Sequence, residues 1–257
     1  GPQTNLQKIE QGDSELGLIT AALAGAVWDG EDFANGTLYQ EARPVAPLWC
    51  SYLYMVTLED SDINSLKDLM GKNVAAGSAG SSSDMCARGI IDLYNIDVRN
   101  YSSLTADAQK NGLKDKTIDV IFVVNGSPSP TIMDLETTHD LKFIQFTDEE
   151  IKDISENFPY WAISTISAGA QKHMSNDYET ISLWQLLYAD KDVPEDAVYK
   201  MTTKIFESYD ELLAVDQGLK DAKAENIIYA NTPLHAGAYK YYQENDIEIP
   251  DKSMPIN

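Results

Sequence analysis

The chain has 257 residues, 43% hydrophobic and 23% charged, a globular balance with length for one large domain or two smaller ones. Asp and Glu number 41 against 19 Lys and Arg, a formal net charge of −22, so the surface repels nucleic acid and anionic membrane alike. No stretch approaches the roughly 20 apolar residues that span a bilayer. The opening "GPQTNLQKIEQGD" lacks the basic-then-apolar layout of a signal peptide, so for an exported protein the targeting segment lies outside this sequence.

In chain order, "TNLQKIEQGD" predicts a helix with Leu6 and Ile9 on one face, stopped at Gly12. "ELGLIT" reads as a strand, "SLKDLMGK" as a short helix ended by Gly71, and "NVAAG" as a buried strand. Asp84 to Tyr94 has helical spacing, "ADAQKNGLKDKT" is a polar helix, and "IDVIFVV" is the clearest buried strand. "PTIMDLETTH" follows as a helix, "LKFIQF" as a strand and "DEEIKDISENF" as a helix. From about residue 158 the pattern changes. "PYWAISTISAG" and "TISLWQLLYA" are apolar and extended, and "PEDAVYKMTTKIFESYDELLAV" and "LHAGAYKYYQEND" read as long helices, the first opening at Pro194 with two acids behind it. The alternation predicts an α/β protein with largely parallel sheets and two lobes joined by two crossing strands.

Two cysteines, Cys50 and Cys86, are too few for a disulfide framework and match no metal motif. One bridge and two buried thiols are both compatible with them. His139, His173 and His235 are scattered and point to no metal site.

The loop "GSAGSSSD" carries the chemistry question. It does not have the G-x-S-x-G of a nucleophile elbow, and it lacks the Lys and Ser/Thr of a P-loop. The chain has no S-x-x-K, no G-x-G and no H-E-x-x-H. What remains is a strand, a Gly/Ser loop and a helix start. Unpaired N–H groups and the helix dipole there favour a carboxylate or another small anion. Gly77 and Gly80 allow close approach, and Ser81, Ser82 and Ser83 add hydroxyls. The competing reading is a capped helix, with Ser81 and Asp84 as a shortened capping box. "FVVNGSPSP" is a second strand end, where Asn125 and Gly126 either meet a polar ligand or form an ordinary turn. Trp28, Trp49, Tyr52, Tyr54, Tyr160 and Trp161 fall near the expected crossings, as core or as cleft lining.

Several segments resemble the TAXI solute receptors, the substrate-binding proteins of one class of TRAP transporters. "GSAGSSSDMCAR" is similar to their G-x-x-G-S-x-[ST]-[ED] loop, and "NLQKIEQGDSELGLI" to their N-L-x-x-[IL]-x-x-G segment. "SLKDLMGKNVAAG", "IDVIFVVNGSPSPTIMDLETTHDLKFI", "DVPEDAVYKMTTKIFES" and "PLHAGAYKYYQENDIEIP" follow in the family's order across nearly the whole chain. Trp49 stands where the family commonly has a cleft Tyr. The family's usual opening strand, Gly/Thr-rich loop and helix precede the first of these segments, so lobe 1 is expected without them. Its Q-S-D after the second strand is Thr20-Ala21-Ala22 here, and its P-L-H-P-G-A has Ala236 for Pro.

The resemblance implies an α/β, two-lobed periplasmic-binding-protein fold with mixed, mostly parallel sheets and two crossing strands. Residues 1–48 and 160–257 would form lobe 1, and 49–159 lobe 2. It implies a monomeric, extracytoplasmic, non-enzymatic binder, periplasmic or a cell-surface lipoprotein whose anchor lies outside this chain. The binder would close on a small polar or carboxylate-bearing solute, an amino acid among the usual ligands, and deliver it to a membrane-embedded TRAP permease. The implied contact residues are Trp49, Ser78, Ser81, Ser82, Ser83, Asn125 and Gly126, without cofactor, metal, nucleic acid or membrane insertion of this chain. Loss of Q-S-D points to a smaller or more apolar solute than usual. The alternative is a ligand-sensing domain feeding a signalling partner.

Overall fold

In the computed structural model, which describes residues 2–31 and 34–256, the first helix shows how local sequence sets the architecture. In α1 (Pro2–Glu10), Leu6 and Ile9 lie three apart and are fully buried. Gly12 ends it at φ +72°, its N–H bonding Ile9 O while the Asp13 N–H bonds Lys8 O. The chain divides into two compact units, Gly1–Cys50 with Leu183–Asn257, and Ser51–Ser182. Two long strands, β2 (Ala42–Leu58) and β8 (Tyr178–Asp190), each run from one unit into the other.

In the first unit, β1 (Leu16–Thr20) pairs antiparallel with the second half of β8, Leu16 opposite Ala189 and Thr20 opposite Gln185. It runs directly into α2 (Ala21–Trp28), whose Ala21, Ala22, Ala24 and Val27 are buried. Beyond β8 come α7 (Glu195–Glu207) and α8 (Tyr209–Val215), then, after two 3-10 turns, α9 (Ala236–Glu244). The single long helix expected over 194–215 breaks at Ser208, which caps the end of α7 and the start of α8. α9 begins with a specific device. The His235 side chain accepts the Gly237 N–H at Nδ1 (3.1 Å) and, as the Nε2–H tautomer, donates to Val193 O (3.0 Å). Gly237 is where α9 crosses α7. A β-carbon there would sit 2.2 Å from Glu195 O and 2.8 Å from Tyr199 N. Tyr242 donates to Val45 O and the His235 N–H to Pro44 O, fixing α9 to β2.

In the second unit, β3 (Asn73–Ala76) lies between β4 (Asn100–Ser103) and β5 (Val120–Asn125) and is parallel to both. β2 pairs antiparallel with β5 from Tyr52–Asn125 to Val56–Ile121 and with β6 (Leu141–Phe143), and β7 (Ala162–Ile166) pairs antiparallel with the first half of β8, as β1 does with its second half. The sheet is therefore mixed, parallel where strand–helix–strand units supply it and antiparallel at the long strands. The helices are α3 (Ser82–Leu93), α4 (Ala106–Lys114), α5 (Pro130–Glu136) and α6 (Asp148–Asn157). The core gathers Tyr54, Val56, Ile121, Val123, Ile132, Leu135 and Tyr178. Tyr178 is fully buried, and its hydroxyl donates to Ile144 O and accepts from the Met55 N–H, the pairing such a buried hydroxyl requires.

The unit boundaries differ from those read in the sequence. Residues 160–182 group with the second unit, because β7 and the first half of β8 pair there, and Trp49 falls in the first. Both crossings lie inside unbroken strands, where no turn residue marks them. Cys50 and Cys86 are both buried thiols with no bridge between them.

Candidate functional site

The parallel arrangement of β4, β3 and β5 brings their carboxyl ends to one edge of the sheet: Ser103, Ala76 and Asn125. That edge is where open α/β sheets bind ligands. β3 feeds the loop 77–81 and then α3, so the helix start points its first N–H groups to the same edge.

The loop is shaped by its small residues. A β-carbon on Gly77 would lie 2.3 Å from Ser81 Oγ and 3.0 Å from Ser83 Cβ, so only glycine allows the chain to fold back. Gly80 sits at φ +75°, a conformation that favours glycine. Ser81 is the N-cap, in extended backbone, and its Oγ accepts the Asp84 N–H (3.3 Å). α3 accordingly starts at Ser82, two residues ahead of its expected start. Ser83 Oγ accepts the Val124 N–H at 2.8 Å, tying the helix start to the end of β5.

Asp84 is the buried centre of this corner. Its Oδ1 accepts from the Tyr101 and Ser103 hydroxyls, each at 2.7 Å, and its Oδ2 from Gly80 N–H and Arg88 Nε, each at 3.1 Å. Burial alone pushes this carboxyl up, but the hydrogen bonds from Ser103, Tyr101, Arg88 and Gly80 together outweigh it and hold it at about 2. Arg88 lies over the Tyr101 ring, 4.4 Å from its centroid. Asp84 thus does not complete the capping box through the Ser81 N–H. It reaches one residue further, to Gly80.

The N–H groups left over define what the site can hold. Gly80 donates to Asp84, Ser81 to Ser78 O, and Asp84 to Ser81 Oγ. Those of Ser82 and Ser83, the first two of α3, have no partner among the described residues. Of the neighbouring serines, Ser78 is exposed and Ser82 half-buried. Two adjacent donors at the positive end of a three-turn helix suit one or two oxygens of a small polar group. The Asp84 charge is matched by Arg88, so the pair does not cancel the helix field.

The other expected contacts are placed as follows. Asn125 and Gly126 adjoin the loop, but the Asn125 Oδ1 accepts the Gly126 N–H (2.9 Å) and its Nδ2 donates to Thr131 Oγ1 (3.3 Å). Gly126 O accepts from the Tyr54 hydroxyl. This strand end has the local turn chemistry of an Asn-Gly pair, with its amide turned into its own loop. Trp49 lies on β2 in the first unit, half-buried. Thr20, Ala21 and Ala22 are buried at the junction of β1 and α2. Tyr101 and Ser103 were missed by sequence reasoning because "NYSS" is too polar to read as a strand. The Asp84–Arg88 spacing of four was the available signal.

A two-unit mixed α/β body linked by two continuous strands is the fold of the periplasmic solute-binding proteins. Its solved likenesses include XAC2383 from Xanthomonas citri bound to ATP, at 12% identity and TM-score 0.51 over 95% of this chain and 80% of that one. They also include a TctC solute binding protein from Polaromonas, at 16% and 0.50 over 90% and 77%, and a protein of Bordetella bronchiseptica RB50, at 16% and 0.51 over 98% and 73%. The chain belongs to the NMT1-like family, whose model matches residues 1–245.

Proposed function

We propose that this protein is an extracytoplasmic solute-binding protein of the TAXI type, without catalytic activity. It takes a small polar or carboxylate-bearing solute at the Gly/Ser loop and delivers it to a TRAP-type secondary transporter. The observation that carries this reading is the pair of unpartnered N–H groups of Ser82 and Ser83, at the shared carboxyl edge of three parallel strands. Ser78 and the Ser82 hydroxyl complete the contact set. Ser81 and Ser83 shape the loop, and Asn125 and Gly126 bound it.

The net charge of −22 gives anions no long-range attraction, so the local helix field and its two donors supply the selectivity. Native mass spectrometry of freshly purified protein tests the reading by weighing a retained solute. Calorimetric titration of stripped, refolded protein with a panel of amino acids and mono- and dicarboxylates follows. Saturable binding of at least one compound is the expected outcome, and a folded protein that binds none contradicts it.

A further inference from the structure

Residues 51–182 carry a second concavity that shares no residue with the loop, a cleft of about 930 Å³. It is bounded by the 3-10 turn Leu66–Leu69 with the Met70 that follows, by the turn after α3, and by the first turns of α6. Its inner wall is apolar. Ile96 is buried, Tyr94 is half-buried, and Met70 is 64% exposed, more than any other large hydrophobic residue described in this unit. Methionine is a side chain suited to adaptable contacts.

The rim is acidic. Glu150 is committed to a capping box with Thr147, but Asp148, Glu149 and Asp153 have no ion-pair partner among the described residues. Asp148 and Glu149 complement the helix dipole, whereas Asp153 lies beyond the first turn and its carboxylate faces the Tyr94 hydroxyl as an acceptor. The lining has one basic residue, Lys67. The Tyr94 hydroxyl reports the resulting field: burial first, then Asp153, Glu150 and Glu149, push it up to about 12.

We infer that this cleft is a docking surface for a partner-protein segment that seats an apolar side chain against Met70, Tyr94 and Ile96 and sets flanking Lys or Arg against Asp148, Glu149 and Asp153. Charge complementarity selects this occupant. A second copy of a chain with net charge −22 is repelled, and an acidic or neutral segment leaves the rim unmatched. The inference stands apart from the solute reading, since it concerns a different surface and its test needs no solute.

The test uses the full chain carrying ¹³C-methyl methionine, titrated at low salt with a hexapeptide of two leucines flanked by pairs of lysines. The Met70 methyl signal is expected to shift saturably while those of Met133 and Met254, also exposed, stay in place. Met70→Ser is expected to weaken binding at least tenfold. So is the triple change Asp148→Asn, Glu149→Gln, Asp153→Asn, and so is replacing the peptide's leucines by serines. Met70 is exposed, so its variant leaves the fold intact. The inference is overturned if Met70 does not move, or if Met133 and Met254 move with it at the same concentrations, which marks general attraction to an acidic surface. Unchanged binding by Met70→Ser overturns it too. Butylamine reproducing the shift at equal concentration does so as well, since the cleft would then be a small-amine site.

Discussion

Replacing Asp84 by Asn tests the corner that shapes the loop. The carboxyl is held at about 2 against an ordinary 3.8, and at about 1.4 kcal/mol per tenfold change this corresponds to about 2 kcal/mol of folding stability. The folded value is depressed, so this stability is fully present above the unfolded pKa and is lost as pH falls from about 4 through about 2. The Asn amide adds a second cost. Asp84 accepts from four donors on two oxygens, and an NH₂ in place of one oxygen faces two of those donors, a loss of about 1–2 kcal/mol. Urea denaturation of wild type and Asp84→Asn, run in parallel from pH 7 to pH 2, measures the difference. It should be about 3 kcal/mol at pH 7 and shrink by about 2 kcal/mol toward pH 2. A difference that stays constant across this range would refute the reasoning, because the carboxylate would then contribute nothing through its charge.

Three further predictions follow from the packing. Gly237→Ala places a β-carbon against Glu195 O and Tyr199 N, backbone atoms that cannot rotate away, so it should cost about 3 kcal/mol in urea denaturation, and a loss below about 1 kcal/mol would show that α7 and α9 part easily. His235 is kept neutral chiefly by burial and secondarily by Arg43, against the opposing pull of Val193 O, Glu195 and Asp190. Its folded value is depressed, so wild type should lose stability relative to His235→Asn as pH drops below about 6.5, Asn retaining the capping acceptor for Gly237; a pH-independent difference would refute this. Cys50 and Cys86 should both resist a thiol reagent in the folded protein and both react in denaturant. A count of zero after unfolding would reveal a bridge.

Much of the second unit was legible because its alternation is strong. "NVAAG" and "IDVIFVV" are apolar runs of strand length, and "GSAGSSSD" pairs two glycines with a cap residue. The chain division was not legible, because β2 and β8 carry the crossings through unbroken extended sequence. α2 escaped notice because "AALAGAVW" is apolar all round and opens without a side-chain cap, Thr20 making none. β4 was hidden by its polar, half-exposed side chains. Its Tyr101 and Ser103 are nevertheless what orient Asp84. At the loop the sequence left anion cradle and capped turn as alternatives. The structure shows the cap, Ser81 accepting one N–H, while those of Ser82 and Ser83 have no partner among the described residues. Asn125 was less legible, since only geometry shows its amide turned inward.

The central claim is that the Ser82 and Ser83 N–H groups hold the solute. Ser82→Pro tests it most directly. Position N1 of a helix tolerates proline and its N–H has no helical partner to lose. Ser81 already has the extended backbone that a following proline requires. For a compound that binds wild type in calorimetric titration, Ser82→Pro should bind at least tenfold more weakly, the loss of one hydrogen bond to a charged or polar oxygen. Thermal stability should be unchanged. Ser82→Ala, which keeps the N–H, should lose less. Equal affinity for wild type and Ser82→Pro would contradict the account.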